Sequence, residues 1–173
     1  ASTRYPDGKN SYFTFAAFVT DNWEVHKKLI LSAGFRFSYV GIRAEFIDTT
    51  FYKFAAGKVS QNNAAPSGNI GLVYAPGHDW RVALSFATGF RSPNIDDMGK
   101  VFDSAPGTLI VPNPNIKPEY TYSTDLNISK VFWGRLYIDA VGWFALYKNA
   151  LATRPFLLNG QDSIVYDGVL SLV

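Results

Sequence analysis

The sequence predicts an all-β chain: an antiparallel transmembrane β-barrel segment, about seven strands of a larger barrel. Three observations carry this expectation. Apolar and polar residues alternate with a period of two, over stretches long enough to cross a bilayer at a tilt. The connections between those stretches alternate between short and long. Aromatic residues collect at the strand ends, where rings with a polar tip favour a membrane interface.

The first strand is read over residues 12–21, followed by a tight turn at 21–27. In 28–39, Leu29, Leu31, Ala33, Phe35, Phe37 and Tyr39 share one face, and Ser32, Gly34, Arg36 and Ser38 the other. A long connection, 41–66, leads to a strand at 67–75 and a tight turn at 76–79. The next strand sets Trp80, Val82, Leu84, Phe86 and Thr88 against Arg81, Ala83, Ser85, Ala87 and Arg91. After a second long connection, 92–119, Tyr122, Leu126 and Ile128 oppose Thr121, Ser123, Asp125, Asn127 and Ser129. A turn at 132–134 precedes a strand at 135–148, with Leu136, Ile138, Ala140, Gly142 and Phe144 outward and Asp139 and Trp143 inward. A third long connection, 149–163, ends at the start of a seventh strand, 164–173.

Short turns on one side and long loops on the other describe an outer-membrane barrel, with turns in the periplasm and loops outside. Trp23, Trp80 and Trp133 fall at the short-turn ends, and Tyr39, Phe90, Tyr120 and Tyr147 at the long-loop ends, which predicts two aromatic girdles.

Composition agrees and excludes other classes. Hydrophobic residues are 47% of the chain and aromatic residues 16%, but charged residues only 17%. A net charge of +2 without a polybasic run offers no clustered basic face, so no nucleic-acid partner is expected. No run approaches 18 consecutive apolar residues, so the chain has no transmembrane helix. Without cysteine, disulfides and thiolate metal sites are excluded. The first residues, Ala1 to Pro6, carry neither a basic nor an apolar leader segment, which suggests a mature chain or an internal piece. An odd strand count would leave open edges in hydrocarbon, which favours the piece, with further strands elsewhere.

Two motifs bracket the second long connection. Gly89-Phe90-Arg91-Ser92-Pro93-Asn94 closes one strand, and Asn113-Pro114-Asn115-Ile116-Lys117-Pro118-Glu119 opens the next. Arg91 falls on the inward face, where it can pair with carboxylates. Pro93, Pro114 and Pro118 lack an amide donor, so they end ladder pairing and stiffen the loop base. The pair resembles the FRAP and NPNL boxes of TonB-dependent outer-membrane receptors, in the same order at the matching strand ends. That resemblance implies a barrel of about 22 strands, closed by a plug domain and energised through the TonB–ExbB–ExbD complex. Its implied partners are outer-membrane lipid and a cargo, with an iron chelate (siderophore or haem) as the first expectation and glycans, peptides and cobalamin left open. No resident cofactor or metal is implied. The stretch from Arg154 to Ile164, followed by Tyr166-Asp167-Gly168, is similar to the haem, haemoglobin and transferrin receptors of the family. Haem receptors place a histidine between the two boxes, whereas here residues 94–112 contain none and Met98 is the soft donor there.

Possible cargo contacts are Arg91, Asp96, Asp97, Lys100 and Asp103, in or beside the loop between the boxes. Solvated loop residues are the plainer reading of the three carboxylates. Arg36, Arg81, Arg91, Asp125, Asn127 and Asp139 would line a wet interior. His26 and His78 both fall in short turns, out of reach of Ser92, Ser104, Asp96 and Asp97, so no hydrolase constellation forms and no enzyme is expected. The expected function is import of a scarce nutrient. A small structural or adhesive barrel is the second reading and a soluble β domain the third.

Overall fold

The computed structural model describes residues 7–47, 57–99, 102–105, 107–111, 113, 115–166 and 168–173. The elements in chain order are β1 (Ser11–His26), β2 (Leu29–Glu45), β3 (Lys58–Gly77), β4 (Trp80–Arg91), α1 (Ile95–Gly99), β5 (Phe102–Ala105), β6 (Thr108–Ile110), β7 (Glu119–Phe132), β8 (Leu136–Lys148), β9 (Ser163–Tyr166) and β10 (Val169–Leu172). Six of them form one antiparallel wall in the order β1-β2-β3-β4-β7-β8, and β5-β6-β10-β9 form a second, small sheet. Among the described residues β1 and β8 are the edges of the wall.

The cross-strand register fixes which residues share a face. Phe15 lies opposite Tyr39, Val19 opposite Phe35 and Trp23 opposite Leu31. The rows continue through Leu31–Leu72 and Ala33–Ile70, Leu72–Leu84 and Ile70–Phe86, Leu84–Leu126 and Val82–Ile128, and Thr124–Phe144 and Ile128–Ala140. One surface of the wall is therefore apolar across all six strands. Its side chains point away from the rest of the chain, with Phe35 54% exposed, Leu84 46% and Phe144 67%. Such a surface suits acyl chains and not a dry core.

The opposite surface carries Arg36, Asn69, Arg81, Ser85, Asp125, Asn127 and Asp139, as the alternation requires. Trp143 lies on it too, facing Asp125 across the β7–β8 ladder. So does Tyr147, opposite Thr121, which removes it from the expected outer girdle. Parity is the reason: with Asp139 and Trp143 inward, every odd position of β8 is inward.

Tight turns close one end of the wall. His78 and Asp79 have φ of 53° and 63°, and Trp133 and Gly134 of 52° and 64°. Between Gly77 and Trp80 this is a two-residue hairpin loop, whose left-handed φ matches the twist of the flanking strands, and between Phe132 and Leu136 it is a three-residue loop, Trp133 to Arg135. The turn expected at 21–27 is shorter, because β1 runs to His26 and pairs with Leu29.

Two departures from the sequence expectation lie at the other end. β2 and β3 continue well into the connection read as 41–66, pairing from Val40–Asn63 to Glu45–Lys58. The segment 164–173 is not a seventh wall strand. It is the hairpin β9–β10, turning between Tyr166 and Val169 and joining β6 in parallel through Leu172 and Thr108. Gly168, at φ 80°, permits the turn.

A dry core does form, on the inward side of the loop end. Val40, Ile42, Ala44 and Phe46 of the β2 extension and Val59 of β3 pack with Ile95, Met98 and Leu109 from the long connection. Val111, Ile164, Tyr166 and Val173 close around them. The connection between β4 and β7 thus folds back over the inner face of the wall as a cap.

Candidate functional site

The two sequence motifs meet at the foot of this cap. Phe90 and Arg91 end β4, Glu119 opens β7, and Arg91 and Glu119 are register partners. The Phe90 and Tyr120 rings lie 5.5 Å apart, and Phe90 packs against the core of the cap. The chain then leaves the wall through Pro93, whose side chain is fully buried.

Asn94 and Asp97 cap α1 reciprocally. The Asp97 amide donates to Asn94 Oδ1 at 2.8 Å, and the Asn94 amide donates to Asp97 Oδ2 at 2.9 Å. This pairing satisfies two amides that a helix start leaves without intrahelical partners. One Arg91 guanidinium nitrogen donates to both Asp97 oxygens, at 3.2 and 2.9 Å. Capping and ion pairing together fix the direction of α1, which carries Ile95 and Met98 into the core. Asp97 thus accepts three hydrogen bonds from the loop itself. Asp96 is half-buried beside it.

The second motif is tied down from both sides. Asn113 Oδ1 accepts the Asn115 amide at 3.0 Å, an Asx-type turn. Ile116 presents its carbonyl to Gln61 Nε2 at 2.9 Å. Lys117 is exposed. The Pro118 carbonyl accepts from Asn149 Nδ2 at 3.2 Å, and Glu119 Oε2 accepts the Leu151 amide at 2.9 Å. Pro114 and Lys100 lie outside the described residues. Asp103 falls in β5, opposite Leu109, and its side chain lies outside what is described.

Gln61 and Asn63 are the residues that sequence reasoning missed. Both lie on the inward row of the β3 extension. Asn63 Nδ2 donates to Ser92 Oγ at 2.9 Å, while Gln61 holds Ile116, so one strand joins both motifs. A signal for them existed: Val59, Gln61, Asn63 and Ala65 keep the period of two, but with the apolar members on the inner face.

Further down, the inner wall carries a polar ladder. Ser85 Oγ donates to Asp125 Oδ2 at 3.2 Å, and Asn127 Nδ2 donates to Asp139 Oδ1 at 2.6 Å, with Arg81 at 3.5 Å from Asn127. Arg36 Nε donates to Ser38 Oγ at 3.0 Å. These groups satisfy one another along the ladder and leave spare donors and acceptors to a wet interior. His26 and His78 lie at the turn end, opposite the cap. Met98 is 1% exposed and packs in the core.

A sheet with an apolar outer face, a hydrogen-bonding inner face, tight turns at one end and a folded cap at the other defines a stretch of transmembrane barrel wall. The sequence matches the family described as "TonB dependent receptor-like, beta-barrel" over residues 1–166, and the chain belongs to that family. Among solved structures it is similar to the copper transporter OprC, with a TM-score of 0.63 and 18% identity over 80% of this chain. The chain spans about a fifth of that structure's length, 21%. No curated protein matches the sequence.

Proposed function

We propose that the chain is part of the outer-membrane wall of a receptor that takes up a scarce nutrient through its outer loops and imports it with energy from the TonB–ExbB–ExbD complex. The observation that carries this reading is the division of one continuous wall into a lipid-compatible face and a hydrogen-bonding face, in a chain of this family. The plug and the remaining strands belong, in this reading, to other parts of the whole protein. The activity is transport, without catalysis.

The cargo we propose is an iron chelate, a siderophore or haem. A chelate brings its own donor atoms and asks of the wall only hydrogen bonds, such as Arg36, Asn69 and Arg81 offer on the inner face. Copper is the second reading, favoured by the likeness to OprC. Copper(I) prefers soft donors, and here Met98 is packed in the cap while His26 and His78 sit at the turn end.

Growth of a strain lacking the whole gene tests both. Under metal limitation it is expected to lose growth on one ferric siderophore or on haem, with restoration by the gene only when TonB is present. Loss of copper accumulation alone would select the second reading. Unchanged growth on every metal source would defeat import and leave a structural barrel.

A further inference from the structure

We infer that the turn end of β4, β7 and β8 holds the headgroup of an anionic phospholipid, with Lys130 as its principal phosphate contact and Arg135 as the second. Lys130 lies on the outward row, between Trp80 on one neighbouring strand and Ile138 on the other. An ammonium on a lipid-facing row is costly unless it sits at the interface and is paired. Its position answers the first requirement: it is in the last rows before the tight turns, and the next outward residues toward mid-wall are Ile128 and Leu126.

Its surroundings answer the second only in part. The ammonium lies 4.5 Å from the Trp80 ring centroid and 4.7 Å from that of Phe132. Two rings therefore hold the charge in place by its attraction to their faces. Rings accept the positive field, but they do not supply oxygen acceptors for the three N–H donors. Among the described residues neither Lys130 nor Arg135 forms an ion pair. Trp133, 84% exposed, stands 5.7 Å from Phe132, and exposed Arg135 follows in the same turn, its amide bonded to the Phe132 carbonyl.

This makes a cation held by rings at the depth of the inner-leaflet phosphates, with a second cation in the adjoining turn. The chemistry that completes it is a phosphodiester, and two cations favour a headgroup with net negative charge over one whose own ammonium offsets the phosphate. The inference rests on the wall lying in the membrane and is independent of cargo.

Native mass spectrometry of the full-length receptor, released from micelles containing equal phosphatidylglycerol and phosphatidylethanolamine, tests it. Phosphatidylglycerol is expected to be retained preferentially. Lys130→Gln should lower that retention about fivefold, the weight of one cation at an anionic surface. Lys130→Arg should keep it, and Arg135→Gln should lower it less. Heat-modifiable mobility identifies folded protein, and Arg135→Gln, a turn substitution, keeps the test open if Lys130→Gln does not fold. Equal retention of the two lipids, or no loss in either Gln variant, would overturn the assignment. So would a parallel loss of lipopolysaccharide, which belongs to the opposite leaflet. Metal uptake is not expected to change in these variants, so failure here is distinguishable from failure of the import reading.

Discussion

The lower and upper halves of β2 obey the same alternation with opposite meaning. From Leu31 to Tyr39 the odd positions are apolar and face outward, while the even positions, Ser32 to Ser38, are small or polar and face inward. From Val40 onward the even positions turn apolar: Val40, Ile42, Ala44 and Phe46 are buried, while Arg43 is exposed and Glu45 partly so. The backbone register runs through the switch without a break. What changes is the surrounding medium. Below Tyr39 the outer face meets hydrocarbon and the inner face water. Above it the outer face meets water, and the inner face meets a folded cap. One strand therefore carries the polarity of a membrane wall at one end and of a soluble core at the other.

The sharpest way to break this contrast is at the cap. Met98 is almost wholly buried against the β2 extension, and Met98→Ala removes a side chain that nothing else fills. Such a truncation costs about 2–5 kcal/mol. The cost is expected to fall on the cap alone: proteolysis within residues 92–118 should accelerate, while the heat-modifiable mobility of the barrel stays the same. Simultaneous loss of both would mean that cap and wall are one cooperative unit.

A paired substitution tests the wall. Leu84 faces outward between Leu72 and Leu126, and Ala83 faces inward between Val73 and Asn127. Leu84→Arg is expected to cost about 2–4 kcal/mol in folding into vesicles, and Ala83→Arg much less, because only the first forces a charge into hydrocarbon. Urea titrations of both variants in lipid vesicles would check this. Equal penalties would mean that the faces have been assigned to the wrong media.

How much of this was legible in the sequence follows the same division. Where hydrocarbon defines one side, the period of two read directly, and the wall strands at 80–91, 120–130 and 135–148 lie within two residues of their observed bounds. The strand at 28–39 stopped early because the inversion at Tyr39 and Val40 puts two apolar residues in succession, which reads as an end of alternation. The same inversion hid β3 above Ser67, and with it Gln61 and Asn63. The hairpin at the end of the chain was hidden differently. Asp167-Gly168 is a strong two-residue turn signal, but it sits inside a stretch, 164–173, whose apolar residues continue from Ile164 to Val173 with Ser171 among them. The motifs at 89–94 and 113–119 were visible as strand ends. Their bonds to each other through β3 depend on tertiary approach and leave no local trace.

At the junction between the two regions, Asn94→Ala should remove one cap of α1 and cost about 1 kcal/mol. Asp97 would keep its contact with Arg91 but lose the reciprocal bond from its own amide. Hydrogen exchange at residues 95–98 should quicken by roughly fivefold, with wall amides unaffected. Unchanged exchange would show that Ile95 and Met98 packing holds the helix without its cap.

The smallest effect is expected where the switch in β2 reaches open water. Glu45 and Lys58 face outward above the membrane and pair at 3.0 Å, but the Lys58 side chain is 80% exposed. An exposed pair of this kind contributes about 0–1 kcal/mol, since water and salt screen it and both side chains lose freedom. Lys58→Ser should therefore leave both the urea midpoint and cap proteolysis unchanged within error. The inner-face partners of the same two strands, Ala44 and Val59, lie directly opposite each other in the ladder and are buried. Val59→Ser, only one position along, should destabilise the cap clearly. If the two substitutions had equal effects, the upper half of β2 and β3 would be wet on both faces, and the contrast with the lower wall would vanish.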